Sequence, residues 1–343
     1  MTAIRFLTTV SILTLLMAGV AHAQNDRVRT TTVAESGQIE EMSAVAVIVK
    51  RGSQTKSVPV NEIESVRFAD EPSELTQARL NARNGGYQAA LEQLEEIDVS
   101  DVSNPYITAE IDFYRAFCRA KLALLGEGDI ASAGRDLNTF LQKNSQNFHY
   151  LQATELLGDL LASAGRYGPA EQMYGRIAKA PFPEYKVRAA VLIGRALQAQ
   201  DKHTEALERF EAALAINDDS PGGKTQRLAA LLGKAVSLAA TGQVDQGVAL
   251  VEQVLSDFDP SEERLLALTY NALGSCYLQA EKTKDALFAF LHVDLLFSTE
   301  PEAHAESLYH LATLWETVGK PAQAREARQT LRDRYAASKW AKQ

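Results

Sequence analysis

Two periods of apolar and polar residues divide this chain. In the N-terminal part the period is two. Val45, Val47 and Val49 alternate, the run turns at Lys50-Arg51-Gly52-Ser53, and apolar residues resume at Val58 and Val60 before Ile63-Glu64-Ser65-Val66-Arg67-Phe68. That pattern predicts strand, hairpin turn, strand, short turn and strand. Residues 37–42 and 29–33 add one or two more strands, so a small β-rich, barrel-like module is expected over residues 24–71. Forty-odd residues barely sustain a core, so the module is expected to lean on the helical part of the chain and cap it. From residue 72 to 337 the period becomes helical, and a short tail, 338–343, closes the chain.

The helical part repeats itself. Gly158, Gly194 and Gly274 are each followed twelve residues later by Ala170, Ala206 and Ala286, and four further on by Tyr174, Phe210 and Phe290. The spacing has a mechanical cause. Two short antiparallel helices approach where side chains are small, and an aromatic on the second helix fills the space that remains. Neither helix buries its apolar stripe alone, so the hairpins must stack. Tyr270, Leu273, Gly274, Tyr277, Ala286 and Phe290 form the clearest copy, and Leu308, Leu311, Ala312, Trp315, Ala324 and Leu331 a last one. Weaker copies bring the total to about seven hairpins between residues 73 and 336.

This succession resembles the tetratricopeptide repeat, with its Trp/Tyr, Leu-Gly, Tyr, Ala, Phe, Ala, Pro order. The resemblance covers about three-quarters of the chain and implies a mainly α fold, a TPR-like α-solenoid preceded by the β-rich module. Copies stand 36 to 43 residues apart and mostly lack the closing proline, so uneven loops and an irregular superhelix are expected. A small β module followed by such repeats is similar to exported repeat proteins of planctomycete-type bacteria. The final stretch is similar to the last repeat of exported bacterial proteins of envelope assembly and division, with Ala336 in place of a proline.

Export is also legible at the N-terminus. Arg5 precedes an apolar run from Phe6 to Val20, and Ala21-His22-Ala23 is a small-x-small cleavage site. Residues 1–23 are therefore expected to be a signal peptide, cut at Ala23/Gln24, with an uncleaved anchor as the alternative. Export places the protein in the periplasm or the medium, with no membrane span after cleavage. The formal charge of −9 becomes −10 once Arg5 is gone, and no Lys/Arg run offsets it, which argues against nucleic-acid binding. Cys118 and Cys276 lie four repeats apart within apolar helical patterns and are expected to be buried thiols rather than a disulfide.

Candidate chemistry fails on context. Asp218-Asp219-Ser220-Pro221-Gly222-Gly223-Lys224-Thr225 ends like a phosphate-binding loop, but Asp218 stands where that loop needs glycine and a helical segment precedes it. It reads as a loop between the fourth and fifth repeats, with Thr225 near the next helix start. Ser53-Gln54-Thr55-Lys56 matches Ser-x-x-Lys but sits at a β-turn without its partner motifs. The six histidines show no i, i+4 pair for zinc. No enzyme activity, metal or cofactor is expected.

The tetratricopeptide resemblance implies a concave groove lined by the first helix of each hairpin. Its ligand-facing positions fall here on Gln152, Glu155 and Asp159, on Arg188 and Arg195, and on Asn271 and Ser275. The paired Lys/Asn set that clamps carboxylate termini is absent, so an extended segment of another protein, contacted by arginine, is the expected ligand. The function read from the sequence is a non-enzymatic scaffold or adaptor for envelope proteins. The alternatives are a periplasmic carrier of a small molecule or peptidoglycan fragment and, more remotely, an enzyme with an unrecognised site. The oligomeric state stays open.

Overall fold

The computed structural model describes residues 25–218, 220–257, 262–336 and 338–342; the expected signal peptide lies outside them. Among the described residues five strands come first: β1 (Asp26–Thr30), β2 (Ala34–Met42), β3 (Ala46–Arg51), β4 (Gln54–Pro59) and β5 (Ile63–Arg67). They form one antiparallel sheet in the order β4-β3-β2-β1-β5. The strand expected at 29–33 begins three residues earlier and stops at Thr30. There the Thr30 hydroxyl donates to the Val33 carbonyl at 3.0 Å and accepts from its amide at 3.1 Å, closing a turn that competes with the strand.

Fourteen helices, again among the described residues, then pair into seven hairpins: α1 (Ser73–Arg83) with α2 (Tyr87–Glu95), α3 (Pro105–Leu125) with α4 (Ile130–Lys143), and α5 (Tyr150–Ser163) with α6 (Tyr167–Ile177). The fourth and fifth are α7 (Pro183–Gln198) with α8 (His203–Leu214) and α9 (Pro221–Ala240) with α10 (Val244–Asp257). The last two are α11 (Glu263–Gln279) with α12 (Thr283–Leu296) and α13 (Pro301–Thr317) with α14 (Pro321–Tyr335). A short 3-10 turn, Lys339–Lys342, closes the chain against α13 and α14.

The third, fourth and sixth hairpins close where a glycine meets an aromatic. A Cβ on Gly158 would stand 2.5 Å from the Tyr174 ring, one on Gly194 2.6 Å from Phe210, and one on Gly274 2.7 Å from Phe290. All three rings are buried, as are Ala170, Ala206, Ala286, Ala312 and Ala324, while Tyr277 and Trp315 are half-buried against the neighbouring cores. In the fifth hairpin Gly247 takes the position of those alanines, and a Cβ there would come within 2.5 Å of the Ala235 carbonyl oxygen. The turn between paired helices requires a left-handed residue seven positions after the glycine register. Gly165, Gly242 and Gly319 supply it at φ 71°, 88° and 73°, whereas Asp201 and Glu281 adopt it at 58° and 57° despite their side chains.

The sheet has no core of its own. Val28, Val47, Val58, Val66 and Phe68 belong to one cluster with Leu75 and Ala78 of α1 and Ile107 and Ile111 of α3. A buried polar chain fastens this junction. Arg79 of α1 donates to both Glu71 carboxylate oxygens (2.6 and 2.7 Å) and to Glu110 of α3 at 3.0 Å, and His149 meets the other Glu110 oxygen at 3.1 Å. Burial opposes ionisation of Glu110, but His149 and Arg79 outweigh it and hold the carboxyl below its usual range.

The segment read as a loop at 218–223 is shorter than expected, because α9 already begins at Pro221. Ser220 caps it, its hydroxyl accepting from the Gly223 amide at 3.0 Å, and Pro221 suits the first helical position. Gly223, Lys224 and Thr225 thus lie in the first turn of a helix that succeeds another helix, with the Asp218 carboxylate accepting from the Ser220 amide at 3.0 Å. Cys118 and Cys276 are both free and buried, and burial pushes each thiol up to about 12.

Candidate functional site

Side by side, the first helices of successive hairpins pack along the array: α1 on α3, α3 on α5, α7 on α9, α9 on α11 and α11 on α13. Between α5 and α7 that contact is slight, and an ion pair spans the interval instead. Arg188 of α7 reaches Glu155 of α5 through Nη2 at 2.6 Å and Nε at 2.9 Å. One turn along α5, Asp159 accepts from the buried Tyr174 hydroxyl at 3.0 Å. Burial pushes both carboxyls up, an effect partly offset by Arg188 at Glu155 and by the Tyr174 bond at Asp159. The pair and the hydrogen bond leave little on α5 unsatisfied.

Arg195 differs. It lies on α7, two turns beyond Arg188, and its side chain is open to solvent. No ion pair or hydrogen bond holds its guanidinium among the described residues. Burial among the surrounding helices lowers its proton affinity, and the opposing charges are Glu306 and Glu302 of α13 first, then Asp159. Arg195 of α7 is thus within electrostatic reach of α13 as well as of α5. Glu306 is likewise pushed up by burial, opposed by Lys339 of the C-terminal turn and by Arg195. Among the described residues Arg195, Glu302 and Glu306 close no ion pair of 4 Å or less with one another.

The remaining groove positions divide. Gln152 is exposed and its Oε1 meets His149 Nδ1 at 3.0 Å; Ser275 is half-buried on α11. Asn271 is buried, and its amide helps hold the Glu306 carboxyl down against the effect of burial. It is 2% exposed, wedged between α11 and α13, where Nδ2 donates to the Ala303 carbonyl at 2.9 Å and Oδ1 has no partner. Glu306, absent from the sequence-derived set, lies six residues before Ala312, the register that Gln152 and Arg188 hold relative to Gly158 and Gly194. Carrying that register into the last repeat would have found it.

No family model matches the chain, and no curated protein sequence does either. Solved structures do. A tetratricopeptide repeat protein from Parabacteroides merdae superposes with a TM-score of 0.57 at 16% identity, over 79% of this chain and 96% of that one. A Rap protein complexed with competence and sporulation factor superposes with a TM-score of 0.50 at 15% identity, over 78% of this chain and 76% of that one. The fold is therefore a TPR-like α-solenoid with a small N-terminal antiparallel sheet. Among the described residues no helix is long and apolar enough to cross a membrane, and no group of three or more His, Cys, Asp or Glu is placed to hold a metal.

Proposed function

We propose that this protein is a non-enzymatic scaffold of the cell envelope that holds an extended segment of a partner protein inside the superhelix. Residues 1–23 act as the signal peptide and leave the chain at Ala23/Gln24. The observation that carries the reading is Arg195, a guanidinium open to solvent on α7, within electrostatic reach of α13, and bonded to nothing among the described residues. A cation so placed gains most from an anion brought to it, because a charge-assisted hydrogen bond in a partly desolvated site outweighs one in water. A partner carboxylate meets Arg195, and main-chain amides or a basic side chain meet Glu302 and Glu306 opposite. The Rap protein that shares the fold is itself seen with a bound factor, which supports a ligand of this kind. Arg195, Glu302 and Glu306 supply charge of both signs, which suits the carboxylates, amides and basic side chains of a peptide.

The test is cross-linking of the protein in its native envelope, with wild type compared with Arg195→Glu. Arg188 is unsuitable for reversal, because its loss would strand Glu155. A discrete protein captured by wild type and lost in Arg195→Glu supports the reading. Equal capture by both variants refutes interior binding.

A further inference from the structure

First helices pack side by side along the array except at one place. Among the described residues α5 and α7 are the one neighbouring pair that barely touch, although α6 packs closely on α7 and joins the third hairpin to the fourth. Side-chain reach shows the difference. Gln198 of α7 donates to the Gly233 carbonyl and the Ser237 hydroxyl of α9, both at 2.9 Å. Asn271 of α11 reaches the Ala303 carbonyl of α13 at the same distance. At those junctions a side-chain amide meets the main chain of the facing helix directly. Between α5 and α7 the bridge is made instead by two long charged side chains, Glu155 and Arg188, at 2.6 Å.

Packing is continuous on either side of this interval. Upstream, the sheet shares one apolar cluster with α1 to α3, and α3 to α6 share the next. Downstream, α7, α9, α11 and α13 pack on one another in turn. Across the interval, Tyr174 and Ile177 of α6 join Ala189 and Ala196 of α7 in one cluster, and Gln200 donates to Glu171 at 3.0 Å. Phe182, just before α7, packs on the upstream cluster and pins that end of the helix. Packed helices can tilt against each other by small amounts, whereas an ion pair is either closed or open. We propose that the array hinges here: the sheet and hairpins one to three swing as one body against hairpins four to seven about the α6–α7 packing, with the Glu155–Arg188 pair as the latch. The latched side chains are 14% and 40% exposed. Opening hydrates both charges, which offsets the lost pair. The swing sets how far Glu155 and Asp159 of α5 stand from Arg188 and Arg195 of α7, whether or not a partner segment is what they hold.

The test measures distances between spin labels in the purified protein by double electron–electron resonance. Ser163→Cys and Thr313→Cys, at exposed positions on α5 and α13, span the interval; Glu208→Cys with Thr313→Cys is the control pair, both sites lying beyond it. Native Cys118 and Cys276 are buried, so the labels go to the new thiols. Glu155→Gln/Arg188→Met removes both charges of the latch together. The 163–313 distribution should then shift to longer distances and broaden, while the 208–313 distribution and the circular dichroism stay as in wild type. Glu155→Arg/Arg188→Glu, which rebuilds the pair with its ends exchanged, should bring the 163–313 distribution back. A 163–313 distribution that ignores loss of the pair, a 208–313 distribution that moves with it, or an exchanged pair that stays open would each overturn the hinge.

Discussion

The Phe210 ring offers a quantitative test of how the array is held together. The ring is fully buried between Gly194 of α7 and Gly233 of α9. An alanine Cβ at 194 would lie 2.6, 2.7 and 3.0 Å from three ring atoms, against the ~3.5–4.0 Å of ordinary carbon contacts. The ring must therefore yield by about 1 Å, and Gly233 closes the side to which it would retreat. Overpacking of this kind costs about 1–3 kcal/mol, while replacing a helical glycine by alanine returns about 1 kcal/mol. Gly194→Ala should thus destabilise by about 0–2 kcal/mol. Gly175 in α6 is the control: nothing lies within 4 Å of a Cβ there, so Gly175→Ala should stabilise by about 0.5–1 kcal/mol. Thermal denaturation followed by circular dichroism should separate the two variants by several degrees, at about 2–4 °C per kcal/mol for a chain of this size. Adding Phe210→Leu to Gly194→Ala should recover part of the loss. Equal melting temperatures for Gly194→Ala and Gly175→Ala would refute the wedged ring.

Three further outcomes rest on the geometry. Glu281→Gly should stabilise by about 0.5–1 kcal/mol in chemical denaturation, because it relieves a left-handed residue at a turn that Gly165 and Gly319 make without strain. Arg79→Met should cost about 3–5 kcal/mol, since it strands Glu71 and Glu110, which are 2% and 1% exposed, and a loss below 1 kcal/mol in urea titration would contradict the buried chain. His310 packs its ring on Phe290 at 4.6 Å, and burial pushes it down to about 4 from 6.5. Its folded form favours the neutral ring, so this contribution to stability is present above pH 6.5 and fades as pH falls towards 4. His310→Gln should flatten that part of the stability profile.

The fold was legible because most of its contacts are local. Gly158 and Tyr174 sit in one hairpin, and the spacing from glycine to aromatic is set by two helices and a tight turn, so it recurs at Gly194 and Gly274. Strand ends were less legible, since the hydroxyl of Thr30 competes with the ladder in a way that alternation does not encode. The start of α9 could have been read from Ser220-Pro221, a cap and a first-turn proline. The interior is a different matter. Whether Arg195 faces Glu306, three hairpins further on, depends on curvature summed over every stacking contact, including the slight one between α5 and α7 that Arg188 and Glu155 bridge. Asn271 occupies a groove register but is sealed by α13 for the same reason. No pattern within one repeat carries that information.

The most direct test of a partner held inside the superhelix is site-specific photo-cross-linking from two positions in cells. A photoreactive residue at Ser275, half-buried on a first helix, is compared with one at Gln172, exposed on the outer side of α6. Interior binding predicts a discrete adduct from position 275 that disappears with Arg195→Glu, and none from position 172. An adduct from 172 alone, or one from 275 that survives Arg195→Glu, would contradict it.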